Sequence, residues 1–274
     1  MELDEIRNHW TNWSKSFGAD LRATTKSWTA KALEVDALAR HLSTLIGDSE
    51  NGLVLEAGCG NGINCCELAQ RFPGLTFHGF DFVPGMVEAA REKAAAADLD
   101  ERVRFEEGNV LELETVPGLA AEYRVVFTDR CLINLNATEL QKQALSALAA
   151  RIEPGGTLLM IENSQQSYDA QNHCRTLVGL EPRTPAAFNT FFDEDQIRPH
   201  LGAIGLELVD VEDFISLHDL VLYVLVPAIN DGEVDYSHPL VEAATRLNMA
   251  MSAERPGAFG GFGQNRLFVC RKSS

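Results

Sequence analysis

Residues 53–62 read Leu53-Val54-Leu55-Glu56-Ala57-Gly58-Cys59-Gly60-Asn61-Gly62. An apolar run that enters a glycine-rich turn and opens a helix is the first unit of a nucleotide-binding α/β fold. The spacing is acid-x-G-x-G-x-G. Counted from Gly58, the sixth position of the dinucleotide fingerprint is Ile63, where that fingerprint carries Gly or Ala. The pattern therefore argues against NAD or FAD. Glycines lack Cβ and let a ligand approach the backbone, and Glu56 offers negative charge beside that approach.

Outward from this turn the doubly wound pattern continues in order. Ile63 to Phe72 predicts a helix stopped by Pro73-Gly74. Thr76 to Phe80 predicts a second strand ending on Asp81, about 20 residues past the turn, where such folds bind ribose hydroxyls. A carboxylate accepts from two hydroxyls at once, which suits an acid there. Pro84 fits the first position of the next helix, which carries Met86, Val87, Ala90 and Ala94. Further strands are expected from Val103, at Arg124 to Asp129, at Leu158 to Ile161 after the break Pro154-Gly155-Gly156, at Leu206 to Val211, and at Arg266 to Cys270. Ala137 to Ile152 predicts a helix between the fourth and fifth strands, with Leu140, Ala144, Leu148 and Ile152 at helical spacing.

From residue 53 to about 163 these motifs resemble, one after another, those of the class I S-adenosylmethionine-dependent methyltransferases. In that family the first strand ends on an acid two residues before the first glycine, as Glu56 does. The resemblance implies S-adenosyl-L-methionine as cofactor and a Rossmann-like, doubly wound, seven-stranded sheet with its last strand antiparallel. It implies cofactor contacts from Glu56, Gly58, Gly60, Gly62, Asp81, Phe82, Met86, Asn109, Val110 and Thr128. Phe82 to Met86 resembles the loop that packs on the adenine. Asn109 stands where the family usually has Asp, and its amide oxygen can still accept from the adenine amino group.

Composition bounds the partners. The 274 residues fit one enlarged α/β domain, and net charge is −17, with 40 acids against 23 bases. Phosphate backbones are bound by clustered Lys and Arg, so nucleic acid is not an expected partner. There is no apolar run of about 18 residues, the length a membrane span needs, and the start Met1 to Glu5 is not a basic signal sequence. A cytoplasmic protein acting on a small molecule is expected. The six cysteines lack paired C-x-x-C spacing, which reads as reduced thiols in the core or near the site.

Three regions surround the core. Residues 1–48 hold Trp10, Trp13, Phe17 and Trp28 beside Arg22, Thr25 and Lys26, followed by an amphipathic helix over 29–46. They resemble the amino-terminal lid of related methyltransferases, with plain packing as the competing reading, and residues 49–274 form the methyltransferase domain. Two insertions, about 164–192 after strand five and 215–263 after strand six, leave the sheet at the carboxyl ends of its strands. Open α/β sheets bind ligands at that end. A connection as long as the second usually has a function of its own.

Methyl transfer is an in-line displacement at a sulfonium whose leaving group departs neutral. The protein mainly supplies alignment and exclusion of water, and a base only where the acceptor must lose a proton. His173, His218 and His238 are the candidate bases, with Tyr168 and Glu162 behind them. Each histidine could equally be a surface or structural residue. Asp129, Glu162 and Asn163 at two strand ends resemble the magnesium site of catechol-type O-methyltransferases, although the flanking residues do not match, and no metal site is assigned. A hydroxyl oxygen of a sugar or specialised metabolite is the expected acceptor. Amine methylation, a catalytically silent cofactor-binding module and a dehydrogenase are the rival readings, the last opposed by Ile63.

Overall fold

Val54 to Ala57 are buried along their whole length, as in a central parallel strand covered on both faces. In the computed structural model, which describes residues 2–46 and 51–274, β1 (Gly52–Ala57) pairs in parallel with β2 (Leu75–Asp81) on one side and β4 (Tyr123–Asp129) on the other. With β3 (Val103–Glu107), β5 (Ile152–Asn163), β6 (Leu206–Glu212) and β7 (Asn265–Lys272) they form a seven-stranded sheet in the order β3-β2-β1-β4-β5-β7-β6. Only β7 runs against its neighbours, β5 and β6. The expected Rossmann-like doubly wound sheet with an antiparallel last strand is present.

Alternate strand residues point to opposite faces, and two apolar cores result. On one face Val54, Phe77, Phe127 and Leu159 meet Leu38 and Leu42 of α2 (Trp28–Ile46), Leu68 of α3 (Ile63–Arg71) and Ala90 of α4 (Pro84–Ala96). On the other, Leu55, Phe80, Val126 and Leu158 meet Leu145 and Leu148 of α5 (Thr138–Ala150) and Ile197 and Leu201 of α7 (Glu194–Ala203). Chain direction across the sheet reverses between β1 and β4. The crevice beyond their carboxyl ends is the topological switch point at which such sheets bind ligands.

The surrounding segments are largely helical. Residues 3–17 form α1 (Leu3–Phe17), joined to α2 by a short 3₁₀ turn at Leu21–Ala23. The insertion after β5 begins as α6 (Gln165–Leu177). After β6 the chain runs through α8 (Ser216–Leu220), a π-helical turn at Val221–Leu225, and α9 (Val226–Ile229). It returns through α10 (Pro239–Glu254). The expected boundary between residues 48 and 49 lies outside the described residues.

Candidate active site

The glycine turn is shaped by contacts on both of its sides. Gly58 has φ +69°, and a Cβ there would lie 2.5 Å from Cys131 Sγ. Gly62 has φ +74°, and its Cβ would lie 2.7 Å from the Phe105 ring and 2.8 Å from Ala90 Cβ. The last glycine of the motif thus lets α3 pack close to its neighbours, and it does not face the crevice. Gly58 and Gly60 do face it, as walls of a cavity of about 620 Å³.

Asp81 is fixed at the end of β2. Its Oδ2 accepts from Gly60 N at 2.9 Å and its Oδ1 from Val83 N at 2.9 Å. Burial pushes its carboxyl up to about 6, against the three backbone N–H groups that favour the charged form. Glu56 is buried more deeply. It accepts from Asn64 Nδ2 at 2.7 Å and from Cys65 Sγ at 2.9 Å, and burial raises it to about 8. As it stands, Glu56 is mostly protonated at neutral pH.

Below the turn lies an ionic network of whose members sequence reasoning had singled out Asp129, beside Glu162 and Asn163. Lys31 of α2 sits 2.7 Å from Glu34 and 2.5 Å from Asp129. Arg130 contacts Glu34 at 3.1 Å, and Asn265 donates to Glu34 at 2.8 Å. Burial raises the Asp129 carboxyl, but Lys31 and Arg130 outweigh it and hold Asp129 at about 2. Arg130 adopts φ +55°, an uncommon conformation for a residue with a side chain. The sequence signal for this cluster was Asp129 at the end of the fourth strand, and the pairing of Lys31 with Glu34 carried none. The partners of that pair lie about 100 residues or more away on β4 and β7, and no spacing rule reaches that far.

The amino-terminal segment forms one wall of the cavity. Trp10 and Trp13 line it, and the Trp13 indole donates to the Arg22 carbonyl at 2.8 Å. Asn61 ties the segment to the glycine turn by donating to the carbonyls of Gly18 and Asp20 at 3.1 and 2.9 Å. Trp28 points elsewhere and is half exposed. The two insertions close the far side with Tyr168, Arg183, Phe188, Phe191, Tyr223 and Tyr236. Arg175 of α6 joins them by donating to the carbonyls of Glu181 and Tyr223.

Of the residues expected to contact cofactor, Glu56, Gly58, Gly60, Asp81, Phe82 and Met86 line the cavity. Gly62, Asn109, Val110 and Thr128 do not. Asn109 caps the following turn by accepting from Leu111 N at 3.0 Å, Val110 is packed in the core, and Thr128 donates to Glu162 at 2.7 Å. None of the three candidate histidines lines the cavity. His173 is exposed on α6, and His238 accepts from Leu240 N at the start of α10, at 3.2 Å. His173 lies on the side of α6 away from Tyr168, and His238 caps α10, none of whose residues lines the cavity.

His218 is fully buried behind the cavity wall. Its Nδ1 lies 2.8 Å from Asp219 Oδ1 and its Nε2 3.1 Å from Thr29 Oγ1. Thr29 Oγ1 is 2.6 Å from Ser27 Oγ, and Ser27 and Asp219 are both in the cavity wall. Glu162 is occupied by the amides of Leu132 and Ile133 as well as Thr128, and burial raises it to about 7. Asp129 accepts from Lys31 and Asn64, and Asn163 donates to Asn265. Among the described residues, no three His, Cys, Asp or Glu side chains converge as metal ligands.

Comparison with known proteins agrees with this geometry. Residues 54–156 match the family model described as a methyltransferase domain. The chain is 35% identical over 109 residues to the demethylmenaquinone methyltransferase of Deinococcus radiodurans, covering 40% of this chain and 42% of that protein. It is 32% identical over 147 residues to the Thermus thermophilus enzyme of the same name, covering 54% of this chain and 56% of that protein. The chain thus spans about half the length of these relatives. Magnesium protoporphyrin IX methyltransferase from Synechocystis, solved with bound S-adenosylhomocysteine, shares the fold at TM-score 0.55 and 18% identity, over 88% of this chain and 82% of that one.

Proposed function

We propose, from the premise that residues 54–156 are a methyltransferase domain of the class I S-adenosylmethionine-dependent family, that this chain methylates a small molecule with S-adenosyl-L-methionine. The observation that carries the reading is one continuous cavity. It joins the glycine turn and Asp81 to an aromatic wall built by the two insertions, under the amino-terminal segment. Asp81, already held by two backbone amides, would accept from the ribose hydroxyls. Phe82 and Met86 would flank the adenine, and Glu56 would ionise as the cofactor's ammonium arrives.

The acceptor atom in this reading is a hydroxyl oxygen of a sugar or specialised metabolite. Such an oxygen must lose a proton, and the Ser27–Thr29–His218 chain leads from the cavity to a buried imidazole backed by Asp219. An amine arriving neutral would need no such route. Residues 2–46 would act as a lid, with Trp10 and Trp13 held against the crevice. Incubation with S-adenosylmethionine and a metabolite extract should yield a product heavier by one methyl group. Recovery of unaltered cofactor from a protein that binds it would point to a silent module.

A further inference from the structure

Arg183 lies in the insertion after β5 and is held on every side except the one that meets the cavity. Its backbone is clamped by Asn172 of α6, whose Oδ1 accepts from Arg183 N at 2.8 Å and whose Nδ2 donates to Arg183 O at 3.0 Å. Its Nη1 donates to Gln171 Oε1 at 2.7 Å and to Gln264 Oε1 at 3.2 Å. The guanidinium carbon stands 3.6 Å from the centroid of the Tyr223 ring and 5.5 Å from that of Tyr168. Both rings line the cavity with it. Such stacking and bonding fix the plane of a guanidinium in advance of any ligand.

What Arg183 lacks is an acid. Acids outnumber bases 40 to 23 in this chain, and the other arginine deep in the cavity, Arg130, is paired with Glu34 and Asp129. Arg183 forms no ion pair among the described residues. Its Nε and Nη2 donate to no protein acceptor there. These two nitrogens make the fork that matches the two oxygens of a carboxylate. Two further polar residues line the same cavity. The Tyr168 hydroxyl is buried and, although Asn172 lies beside it, has no partner in bonding geometry. Lys26, without an acid partner among the described residues, places its ammonium 5.9 Å from the centroid of the Tyr236 ring.

We propose that the acceptor carries a carboxylate, gripped by the free edge of Arg183, while its body lies among the aromatic rings of the cavity. One guanidinium fork matches both the shape and the single charge of a carboxylate. The anion anchors the acceptor and is not the atom methylated. Arg183 is thus a specificity residue. This inference rests on the reading of the cavity as a methyl-transfer site.

The test uses the full chain saturated with S-adenosylhomocysteine and titrates 4-hydroxybenzoate against its neutral amide, 4-hydroxybenzamide, by calorimetry. The acid should bind at least about 10-fold more tightly than the amide, the minimum for a charge-assisted fork of about 1.5 kcal/mol or more. Arg183→Gln should abolish that preference while leaving S-adenosylhomocysteine affinity unchanged. Arg183→Lys, which keeps the charge but loses the fork, should fall between. Equal binding of acid and amide, or no binding of the acid at millimolar concentration, overturns the proposal and leaves the methyltransferase reading standing. Loss of S-adenosylhomocysteine affinity in Arg183→Gln also overturns it, since Arg183 would then hold the cofactor's own carboxylate. Failure of the unaltered protein to bind S-adenosylhomocysteine would defeat the methyltransferase reading itself.

Discussion

The two halves of the cavity are built in different ways. The half around the glycine turn comes from one stretch of chain, β1 through the start of α4, where Gly58 and Asp81 sit at the ends of neighbouring parallel strands. Strand pairing fixes Glu56 beside Gly79 and Ala57 beside Phe80, so Gly58 and Asp81 meet with little freedom. The far half is assembled from residues 22–27, 168–191 and 215–236, none of them in the sheet. It is held by side chains reaching across segments, such as Arg175 to Tyr223 and Thr29 to His218. The first half is rigid for reasons of backbone geometry. The second depends on particular side chains, so single substitutions there should change activity without changing cofactor binding.

That contrast can be broken most forcefully at His218. His218→Asn should lower turnover by about 10² to 10⁴, the range for loss of a proton-accepting group, with S-adenosylhomocysteine affinity unaltered. Parallel kinetics and calorimetry on the same preparation would check it. A variant that turns over normally removes the Ser27–Thr29–His218 route. One that also loses cofactor would show the two halves to be a single unit.

Asp81→Ala tests the other half and should have a smaller effect. Cofactor binding should weaken by about 1.5–3 kcal/mol, the range for hydrogen bonds to a charged group, without loss of the fold. A subtler effect follows from its ionisation. Because burial holds the Asp81 carboxyl at about 6 rather than near 4, the charged acceptor is lost as pH falls through 6. S-adenosylhomocysteine affinity should fall over that window in the unaltered protein and show no such step in Asp81→Ala. An unchanged dissociation constant in the variant would mean that the ribose is held elsewhere.

The same contrast explains what could be read from the sequence. Strand ends, the glycine turn and Asp81 follow from local pattern, because each strand-turn-helix unit is closed within about 30 residues. Gly62 shows the limit even there. A glycine in the motif looks like a ligand contact, whereas its missing Cβ makes room for Phe105 and Ala90. Asn109 and Thr128 likewise sit at motif positions but satisfy Leu111 N and Glu162 in this fold. Arg183, Lys31 and Glu34 carried no motif. Their meaning arises only when segments far apart in the chain are brought together. His218 was visible as a residue type, but its link to the cavity runs through Thr29, 189 residues away.

Calorimetric titration of the unaltered protein with S-adenosylhomocysteine and, separately, with NAD tests the central claim most directly. Saturable binding of S-adenosylhomocysteine with none of NAD is the expected result, since Ile63 occupies the position where a dinucleotide fold has Gly or Ala. Preference for NAD would contradict the account.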